Sequence, residues 1–268
     1  MDLDRISLPL FLPADRLDRL EKALGAGADA VILDLEDGVG AEGKSAARDA
    51  LAGRVPETPP VPVILRINGA DTAWFADDLA AAARLPLAAV MLPKAETAKA
   101  CEHVAGTAGK PVVGLIESGR GVRAADEVAA ACARLAFGSI DYAADVGCGH
   151  EREALLMARS ALVLAARLAG RPAPIDGVTT AIGDEDALLG DCRHAVTMGF
   201  AGKLIIHPAQ IEPARRGFAP SADEVDWARR ILAAIGSNTG AVKVDGAMVD
   251  APVIKRARQI LARAGETA

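Results

Sequence analysis

The sequence predicts an α/β protein: a (β/α)8 TIM barrel followed by a C-terminal helical extension or lid. Eight short apolar runs alternate with helical segments over most of the chain. The runs are apolar along their whole length, as expected for parallel strands covered on both faces. The chain has 268 residues, and about 250 residues is typical of this barrel. A doubly wound open sheet is the alternative, but the even number of strands and the complete alternation favour a closed barrel.

The predicted strands are the eight apolar runs. They cover residues 8–12, 30–35, 61–67, 88–92, 111–116, 135–140, 174–178 and 203–206. The seventh is the weakest of them. Two consecutive prolines, Pro59 and Pro60, break the chain before the third strand, because proline donates no backbone hydrogen bond and does not continue a helix. The spacing of these runs leaves room for one helix after most strands.

The predicted barrel helices follow the strands in order. They cover residues 15–25, 44–54, 72–84, 96–105, 122–133, 151–169 and 184–198. Asp15 stands where an N-cap residue of the first helix is expected, since its carboxylate can accept from free backbone N–H groups. A glycine-rich loop, Gly147-Cys148-Gly149, precedes the long helix at 151–169. Together with the strands, these helices complete the predicted barrel.

The C-terminal segment has a different organisation. Residues 221–235 read as a helix with Ser221 at the N-cap and Glu224 at the position of a capping box. A glycine-rich hinge at 236–240, an extended piece at 242–249 with a turn at Asp245-Gly246, and a helix at 252–264 follow. We therefore expect a catalytic barrel over residues 1–220 and an extension over 221–268. The extension is predicted to be a lid or an oligomer arm, or a helix packed on the outside of the barrel.

Composition excludes several classes of function. The net charge is −6 and the pI about 5.3, which argues against nucleic acid as the main partner. No apolar stretch is long enough to span a membrane, and the N-terminus lacks the pattern of a signal peptide. The four cysteines, Cys101, Cys132, Cys148 and Cys192, form no CxxC pair and read as free thiols in a reducing compartment. We expect a cytoplasmic protein without membrane or nucleic-acid partners.

Charged and polar residues close six of the predicted strands. They are Asp34-Leu35-Glu36-Asp37, Arg66-Ile67-Asn68, Pro93-Lys94, Glu117-Ser118, Asp141-Tyr142 and His207-Pro208. In a barrel of parallel strands, all strand C-terminal ends face the same mouth, where active sites of this fold lie. Residues far apart in sequence are therefore expected to meet in one ring.

Two carboxylates of this ring, Glu117 and Asp141, end adjacent predicted strands. Neighbouring carboxylates share a proton or bind a cation, and Mg²⁺ prefers one or two carboxylates together with water and ligand oxygens. The sequence thus predicts a Mg²⁺ site, with Mn²⁺ as a substitute. The alternative is a pair of strand-end caps that hold loop amides. The histidines are scattered without zinc-site spacing, and His207 is expected to order its loop.

Arg66 follows a run of apolar residues, so it does not read as a surface arginine. A buried arginine must be paired, and it can stabilise a developing oxyanion or bind a carboxylate. The alternative is an internal ion pair with Glu36 or Asp37, which is compatible with a catalytic role. Glu36, Asp37 and Lys94 are predicted to contact and orient the residues that bind the ligand, or to bind water.

Other residues near the predicted mouth suggest contacts with a ligand. Asn68 and Gly69 follow Arg66 directly, and a glycine lets the backbone approach a ligand closely. Arg16 and Lys22 lie after the first strand, where they could bind phosphates or form a solvated basic face. The chain has no GxGxxG or Walker motif, so a nucleotide-binding loop is not indicated.

At these residues the sequence resembles the citrate lyase β-subunit family, within the wider HpcH/HpaI group of acyl-CoA lyases and pyruvate-type aldolases. Matching stretches run in order over nearly the whole chain. Among them are LFLPADRLDRLEKALGAGADAVILDLEDGV (10–39), LRINGADTAWFADDL (65–79), GLIESGRGV (114–122), FGSIDYAADVG (137–147), GFAGKLIIHPAQI (199–211) and MVDAP (248–252). One departure is TTAI after the seventh strand, where relatives commonly have an aromatic residue and an aspartate.

The resemblance implies a set of roles. Glu117 and Asp141 would hold Mg²⁺, and Arg66 matches the catalytic arginine of the family. Asp250 matches an aspartate of the C-terminal lid that reaches an active site, in related lyases that of a neighbouring subunit. Positions 16 and 22 match the region that contacts coenzyme A phosphates. The resemblance also implies a homo-oligomer, with a trimer favoured.

The activity implied is reversible carbon–carbon cleavage of a 3-hydroxyacyl-CoA thioester of the citryl-, malyl- or citramalyl-CoA type. The products would be acetyl-CoA and a 2-oxo acid, and coenzyme A would be part of the substrate. One alternative is a metal-dependent aldolase for free 4-hydroxy-2-oxo acids. Those relatives place a histidine after the second strand, where this chain has Glu36-Asp37-Gly38. Another is the β-subunit of a citrate lyase complex that uses an acyl-carrier-protein thioester.

Overall fold

The computed structural model of the chain describes residues 3–235, 242–244 and 247–266. The chain divides into two compact units, Met1–Arg215 and Arg216–Ala268. The boundary expected at residue 220 falls inside the second of these units. The predicted hinge at 236–240 and the predicted turn at Asp245-Gly246 lie outside the described residues.

The first unit contains one sheet of eight parallel strands in the order β1 to β8. The strands are β1 (Pro9–Pro13), β2 (Ala30–Asp34), β3 (Val63–Arg66), β4 (Ala89–Leu92), β5 (Val112–Ile116), β6 (Arg134–Phe137), β7 (Ile175–Asp176) and β8 (Gly202–Lys203). Beyond β8, the backbone N–H of Phe11 donates to Ile205 O at 2.8 Å, and that of Ile205 donates to Pro9 O at 2.9 Å. These bonds bring the last strand segment against the first. The predicted (β/α)8 barrel is confirmed.

Ten α-helices follow or connect the strands over the described part of the chain up to residue 218. They are α1 (Leu20–Leu24), α2 (Lys44–Ala50), α3 (Phe75–Arg84), α4 (Ala98–Ala108), α5 (Gly119–Arg123), α6 (Ala125–Ala131), α7 (Ser139–Val146), α8 (Leu156–Leu168), α9 (Glu185–Met198) and α10 (Ile211–Phe218). The alternation of strand and helix places the strand C-terminal ends and the loops that follow them at one face of the barrel.

The barrel interior is filled by alternate residues of the strands. Ile32, Ile64, Met91, Leu115 and Leu204 belong to one buried cluster. Their strand neighbours are buried as well, since every residue of β2 to β6 is buried. Burial on both faces explains why these strands are apolar without alternation. This core holds the strand ends in fixed positions around the mouth.

Two sequence-based expectations about local structure are wrong. The sixth strand ends at Phe137 and not at residue 140, because the chain turns at Gly138 and Ser139 begins α7. Asp15 does not cap the first helix, whose N-cap is Arg19 without a side-chain hydrogen bond. A short 3₁₀ turn at Leu17–Arg19 takes up the residues in between. Both errors concern the loops after strands, where the backbone path depends on the packing of the barrel.

The other predicted helices differ from the structure mainly at their ends. The predicted helix at 122–133 is two shorter helices, α5 and α6, which meet at Ala124. Helix α10 was not predicted. Pro213 lies in its first turn, where backbone N–H groups have no hydrogen-bond partner within the helix, so a proline is tolerated there.

The second unit contains two helices and a small hairpin in its described part. Helix α11 (Ala222–Ile235) is followed by β9 (Val242–Val244), which pairs antiparallel with β10 (Ala247–Val249), and by α12 (Ala251–Arg263). The predicted capping box is confirmed, since the backbone N–H groups of Ser221 and Glu224 each donate to the other residue's side chain at 2.9 and 3.2 Å. The two helices share their own small apolar core, Ala228, Ile231, Val249, Ala257, Ile260 and Leu261.

Two further observations bear on the expected class of protein. Over the described ranges, no helix has both the length and the apolar character that crossing a bilayer requires. All four cysteines are free thiols, as predicted, and three of them are buried.

Candidate active site

Arg66 is anchored by a carboxylate on the neighbouring strand. Parallel pairing of β2 and β3 sets Asp34 in register with Arg66. Arg66 donates from Nε to Asp34 Oδ1 and from Nη2 to Asp34 Oδ2, both at 2.7 Å. Such a bidentate pair is among the stronger hydrogen-bonded contacts of proteins and fixes the plane of the guanidinium. Asp34 was not predicted as the partner of Arg66, although both residues lie at the ends of adjacent predicted strands.

Asp34 also organises the loop that follows its own strand. Its carboxylate accepts from the backbone N–H groups of Glu36 at 2.9 Å and Gly38 at 2.8 Å. A Cβ atom at Gly38 would lie 2.5 Å from Asp34 Oδ2, so a side chain there would displace the carboxylate. One aspartate therefore holds both the arginine and the loop carrying the next two acidic residues.

The predicted ion pairs of Arg66 with Glu36 and Asp37 are present. Arg66 Nη1 lies 2.9 Å from Glu36 Oε2 and 3.8 Å from Asp37 Oδ2. The ring of Phe11 lies against the guanidinium, 4.8 Å from its carbon to the ring centroid. Burial alone would lower the pKa of Arg66, but the hydrogen bonds to Asp34 and the charges of the three carboxylates raise it above its ordinary value. Arg66 is therefore positively charged, and its guanidinium is held in place by the hydrogen bonds to Asp34.

Glu117 is the buried carboxylate at the mouth. It follows the last residue of β5 and has only 3% of its surface exposed. The backbone N–H of Lys94 donates to its Oε1 at 2.8 Å. Lys94 has a φ of 47°, in the left-handed region that non-glycine residues rarely adopt. The N–H group of Lys94 donates to Glu117 from this unusual backbone conformation. Glu117 therefore also holds a loop amide, as the alternative to a metal-binding role predicted.

The pKa of Glu117 is raised to about 8, first by burial and then by the negative charges of Glu36 and Asp141. The pKa of Glu36 is raised to about 7, first by burial, with further contributions from Asp37 and Asp34. A raised carboxylate pKa means that the surroundings do not supply enough positive charge to stabilise the ionised form. The mouth of the barrel thus carries an excess of negative charge that a bound cation would relieve.

Asp141 reaches the site from a helix and not from a strand end. It lies in the first turn of α7 and is exposed. Carboxylates are favourable there because the helix N-terminus carries a partial positive charge. A Cβ atom at Gly138, just before α7, would lie 2.5 Å from Glu117 Cβ. The glycine therefore lets the chain turn against Glu117 and start the helix that presents Asp141.

One pocket of about 300 Å³ brings the central candidates together. Its polar lining consists of Asp34, Asp37, Arg66, Glu117, Ser139 and Asp141, and its apolar lining includes Phe11, Leu115, Phe137, Ile140, Val178, Leu204 and Ile206. The residues come from the strand ends and the loops after them, as in other enzymes of this fold. A mostly apolar pocket with a few convergent polar groups is typical of small-molecule sites.

The predicted supporting residue Lys94 and the predicted ligand contacts Asn68 and Gly69 do not line this pocket. The side chain of Lys94 is 55% exposed, with Nζ 3.9 Å from Glu36 Oε1. Asn68 is buried, and its Nδ2 donates to Asp78 Oδ2 at 2.6 Å. Gly69 accepts through its carbonyl oxygen from the Thr72 hydroxyl at 2.8 Å. Asn68 and Gly69 thus order the loop after β3, and their contact with a substrate stays a prediction.

Of the remaining predicted residues, those in the first unit, Arg16, Lys22 and His207, do not line the pocket. The side chain of Arg16 is 42% exposed and pairs with Asp18 at 3.3 Å, and Lys22 is exposed on α1. His207 accepts through Nδ1 from the Ala209 backbone N–H at 3.2 Å, which agrees with its expected loop-ordering role. In the second unit, Asp250 is exposed and caps α12, accepting from the backbone N–H of residue 253 at 3.3 Å. Their roles toward a ligand stay predictions.

The donor set fits a hard cation with few protein ligands. Within the described residues, no group of three or more His, Cys, Asp and Glu side chains is placed to hold a metal ion. Glu117 and Asp141 line the same pocket, and the pKa of Glu117 is raised mainly by burial and the charge of Glu36, with a smaller contribution from Asp141. Mg²⁺ is commonly held by one or two carboxylates, with water and ligand oxygens completing the shell. Two carboxylates in an open pocket match that requirement.

Known proteins resemble this chain over almost its entire length. The citrate lyase subunit beta-like protein of Mycobacterium tuberculosis (strain H37Rv) is 42% identical, over 96% of this chain and 95% of its own length. The (3S)-malyl-CoA thioesterase of Cereibacter sphaeroides (strain ATCC 17025) is 38% identical, over 95% and 93%. A crystal structure of the protein CitE from Mycobacterium tuberculosis, in complex with magnesium, acetoacetate and coenzyme A, is 39% identical with a TM-score of 0.89, over 98% of this chain and 100% of that one.

The family profile agrees with these relatives and with the expectation from the sequence. Residues 7–208 match the profile described as HpcH/HpaI aldolase/citrate lyase. That range includes Asp34, Arg66, Glu117 and Asp141, so it covers the whole polar lining of the pocket. The chain therefore belongs to the HpcH/HpaI aldolase/citrate lyase family and is a lyase.

Proposed function

We propose that this protein is a Mg²⁺-dependent carbon–carbon lyase that acts on a 3-hydroxyacyl-CoA thioester of the citryl-, malyl- or citramalyl-CoA type. It gives acetyl-CoA and a 2-oxo acid, or catalyses the reverse condensation. The observation that carries the proposal is the convergence of Arg66, Glu117 and Asp141 on one pocket. The solved relative that binds magnesium, acetoacetate and coenzyme A supports it.

The pocket residues suit the charge changes of this reaction. Glu117 and Asp141 would hold Mg²⁺, which would supply Lewis-acid stabilisation of negative charge on the 3-oxygen. The 3-hydroxyl group loses its proton to solvent water, the bond between C2 and C3 breaks, and its electron pair moves into the thioester enolate. The 3-oxygen becomes the carbonyl oxygen of the 2-oxo acid. Arg66, held by Asp34, stabilises negative charge on the reacting oxygens as a preorganised cation.

The enolate must then take up a proton at C2. We assign this step to Asp250, because it matches the lid aspartate of related lyases. Its position as N-cap of α12 offers a competing, purely structural explanation. A substitution that keeps the cap but removes the acid separates the two, since asparagine caps helices about as well as aspartate does.

Asp250→Asn is expected to lower kcat by ~10²-fold or more, because a positioned general acid–base typically contributes ~10²–10⁴-fold. The thermal midpoint should stay near that of the unmodified protein. Asp250→Ala, which loses both functions, serves as the control and should lower the midpoint as well. Unchanged kcat in Asp250→Asn would reduce Asp250 to a helix cap.

The overall reaction is tested with the purified chain, Mg²⁺ and a panel of citryl-, malyl- and citramalyl-CoA. We expect formation of acetyl-CoA and the matching 2-oxo acid from at least one of them, followed by loss of activity on chelation of the metal. If none of the three is cleaved although each binds, the proposal is wrong. The same panel on acyl-carrier-protein thioesters tests whether the chain works as a citrate lyase β-subunit.

Hydrolysis of the thioester is a second candidate reaction. It is favoured by the 38% identity to a protein named (3S)-malyl-CoA thioesterase. Water would then attack the thioester carbonyl, and malyl-CoA would give malate and free coenzyme A. The product analysis distinguishes the two reactions, because only the lyase reaction releases glyoxylate from this substrate. An aldolase for free 4-hydroxy-2-oxo acids is disfavoured, since Glu36-Asp37-Gly38 follows β2 in place of a histidine.

The proposal also includes a cytoplasmic location and a homo-oligomer. A trimer is favoured by the family resemblance, in which the lid of one subunit reaches the site of another. Sedimentation equilibrium of the purified chain measures the oligomeric state directly.

A further inference from the structure

The proposed reaction moves two protons, and each of them needs a path. Asp250 is assigned to the proton that enters at C2, whereas the proton of the 3-hydroxyl group has to leave the pocket for solvent. Of the described lining residues, Glu117 and Asp141 are assigned to the cation. Asp34 accepts two hydrogen bonds from Arg66 and two from backbone N–H groups. These three carboxylates are therefore engaged in other contacts.

Ser139 is a neutral polar residue of the same lining. It is the first residue of α7 and is only 2% exposed. Its Oγ lies 2.9 Å from Nε2 of His150. A serine hydroxyl donates one hydrogen bond and accepts others. Ser139 can therefore accept from a hydroxyl group in the pocket while it donates to an unprotonated Nε2, and a histidine base in this position activates a serine hydroxyl.

His150 connects this hydroxyl with solvent. It lies after α7, next to the glycine-rich loop at 147–149, where it is exposed and does not line the pocket. Histidine is the residue most often used to transfer protons in enzymes, and an exposed imidazole exchanges its proton directly with water. One hydrogen bond thus joins a buried residue of the pocket lining to an exposed base.

The loop after β7 holds the Ser139 side chain in place. A Cβ atom at Gly177 would clash with Oγ of Ser139, so the glycine allows the backbone to pack directly against the hydroxyl. The carbonyl oxygen of Gly177 accepts from Nζ of the buried Lys203 at 2.6 Å. Lys203 also lies 3.9 Å from Asp176. These contacts restrict the movement of Ser139 and keep its hydroxyl beside His150.

We propose that Ser139 and His150 form a proton relay for the 3-hydroxyl group of the substrate. The inference rests on the proposed lyase function and adds two residues to it. During cleavage, the 3-hydroxyl proton moves to Oγ of Ser139 while the serine proton moves to Nε2 of His150. The electron pair of the O–H bond stays on the 3-oxygen and forms the carbonyl group as the bond between C2 and C3 breaks. His150 then releases the proton to water, and condensation uses the same steps in reverse.

His150→Ala is expected to lower kcat by ~10²-fold on the thioester that the unmodified protein cleaves, with little change in KM. A positioned acid–base group typically contributes ~10²–10⁴-fold. Free imidazole added to the assay should restore part of the lost activity, because the vacated position is exposed. Such recovery follows from proton transfer and not from a purely structural role. His103 is also exposed and outside the pocket lining, so His103→Ala should keep its kcat and show no response to imidazole.

Ser139→Ala tests the other member of the pair. It should lower kcat to a similar extent, but imidazole should not restore the activity, because the contact between substrate and base is missing. The double variant of Ser139→Ala and His150→Ala should lose no more than either single variant, since residues that act as a unit are strongly non-additive. Thermal midpoints of the variants show that the fold is intact.

Failure of the relay can be distinguished from failure of the lyase function. If the unmodified protein cleaves none of the three thioesters, both are refuted. If it is active and His150→Ala keeps its kcat, or loses it without any recovery in imidazole, the relay alone is wrong. Asp37 is an exposed carboxylate of the lining, 3.8 Å from Nη1 of Arg66. A loss of kcat in Asp37→Asn but not in His150→Ala would assign the proton to Asp37 and overturn the proposal.

Discussion

Replacing Arg66 with lysine is expected to lower kcat by ~10²–10³-fold, the usual cost of one preorganised electrostatic contact to a transition state. Lysine keeps the positive charge but cannot make the paired contacts of Nε and Nη2 with Asp34. Its ammonium group would therefore sit in a different and less fixed position. Steady-state assays of Arg66→Lys should show a loss mainly in kcat, with Mg²⁺ binding retained.

Arg48 offers a matched control for this substitution. Its side chain is 10% exposed, like that of Arg66, and it pairs with the buried Asp78 at 3.3 Å. It does not line the pocket. Arg48→Lys should therefore affect the thermal midpoint without a comparable loss of kcat. Equal losses of kcat in both variants would mean that Arg66 acts only by stabilising the fold.

Removing the charge of Glu117 is expected to abolish the stabilisation of the protein by Mg²⁺. Glu117 is the buried member of the proposed ligand pair, and the amide of glutamine is a much weaker ligand for this cation. In the unmodified protein, Mg²⁺ should raise the thermal midpoint, because a ligand that binds only the folded state stabilises it. In Glu117→Gln that increase and the lyase activity should both disappear.

The same substitution should change how the metal-free protein responds to pH. The folded-state pKa of Glu117 is raised to about 8 from an ordinary value of 4.5. A raised pKa means that the folded state binds the proton more tightly, so this contribution to stability is fully present below pH 4.5 and is lost as pH rises from there through 8. The loss is on the order of 5 kcal/mol. Thermal midpoints of the metal-free protein should therefore fall between pH 5 and 8, and those of Glu117→Gln should fall less.

Glu96 provides the control for both measurements. It lies near Glu117 and accepts from the Ser118 hydroxyl at 2.6 Å, but it does not line the pocket. Glu96→Gln should keep the response to Mg²⁺ and the fall in stability between pH 5 and 8. If Glu117→Gln retains the same dependence on pH as the unmodified protein, the charge responsible lies elsewhere.

The strand-end residues show how far local pattern predicts the site. Asp34, Arg66 and Glu117 close or follow strands that were recognised from their apolar runs. Parallel strands in a barrel all end at the same mouth, so their convergence follows from the fold class alone. Strand-end position therefore predicts that Arg66 and Glu117 lie at one face of the barrel, and both line the same pocket.

Asp141 shows where local pattern is insufficient. Residues 135–140 look like a strand because apolar residues continue past Phe137, and only the turn at Gly138 ends it. The turn depends on the close approach of Gly138 to Glu117, which follows the preceding strand, β5. A contact of this kind leaves no periodic signal in either segment.

The sequence by itself determined the barrel, its family and the residue types that gather at its mouth, because apolar periodicity and strand-end position are local properties. The tertiary structure alone decided which charges neutralise one another. The register of β2 and β3 assigns Arg66 to Asp34, and burial leaves Glu117 short of positive charge. Such pairings depend on distances between segments far apart in the chain, and electrostatic interaction depends steeply on distance and burial.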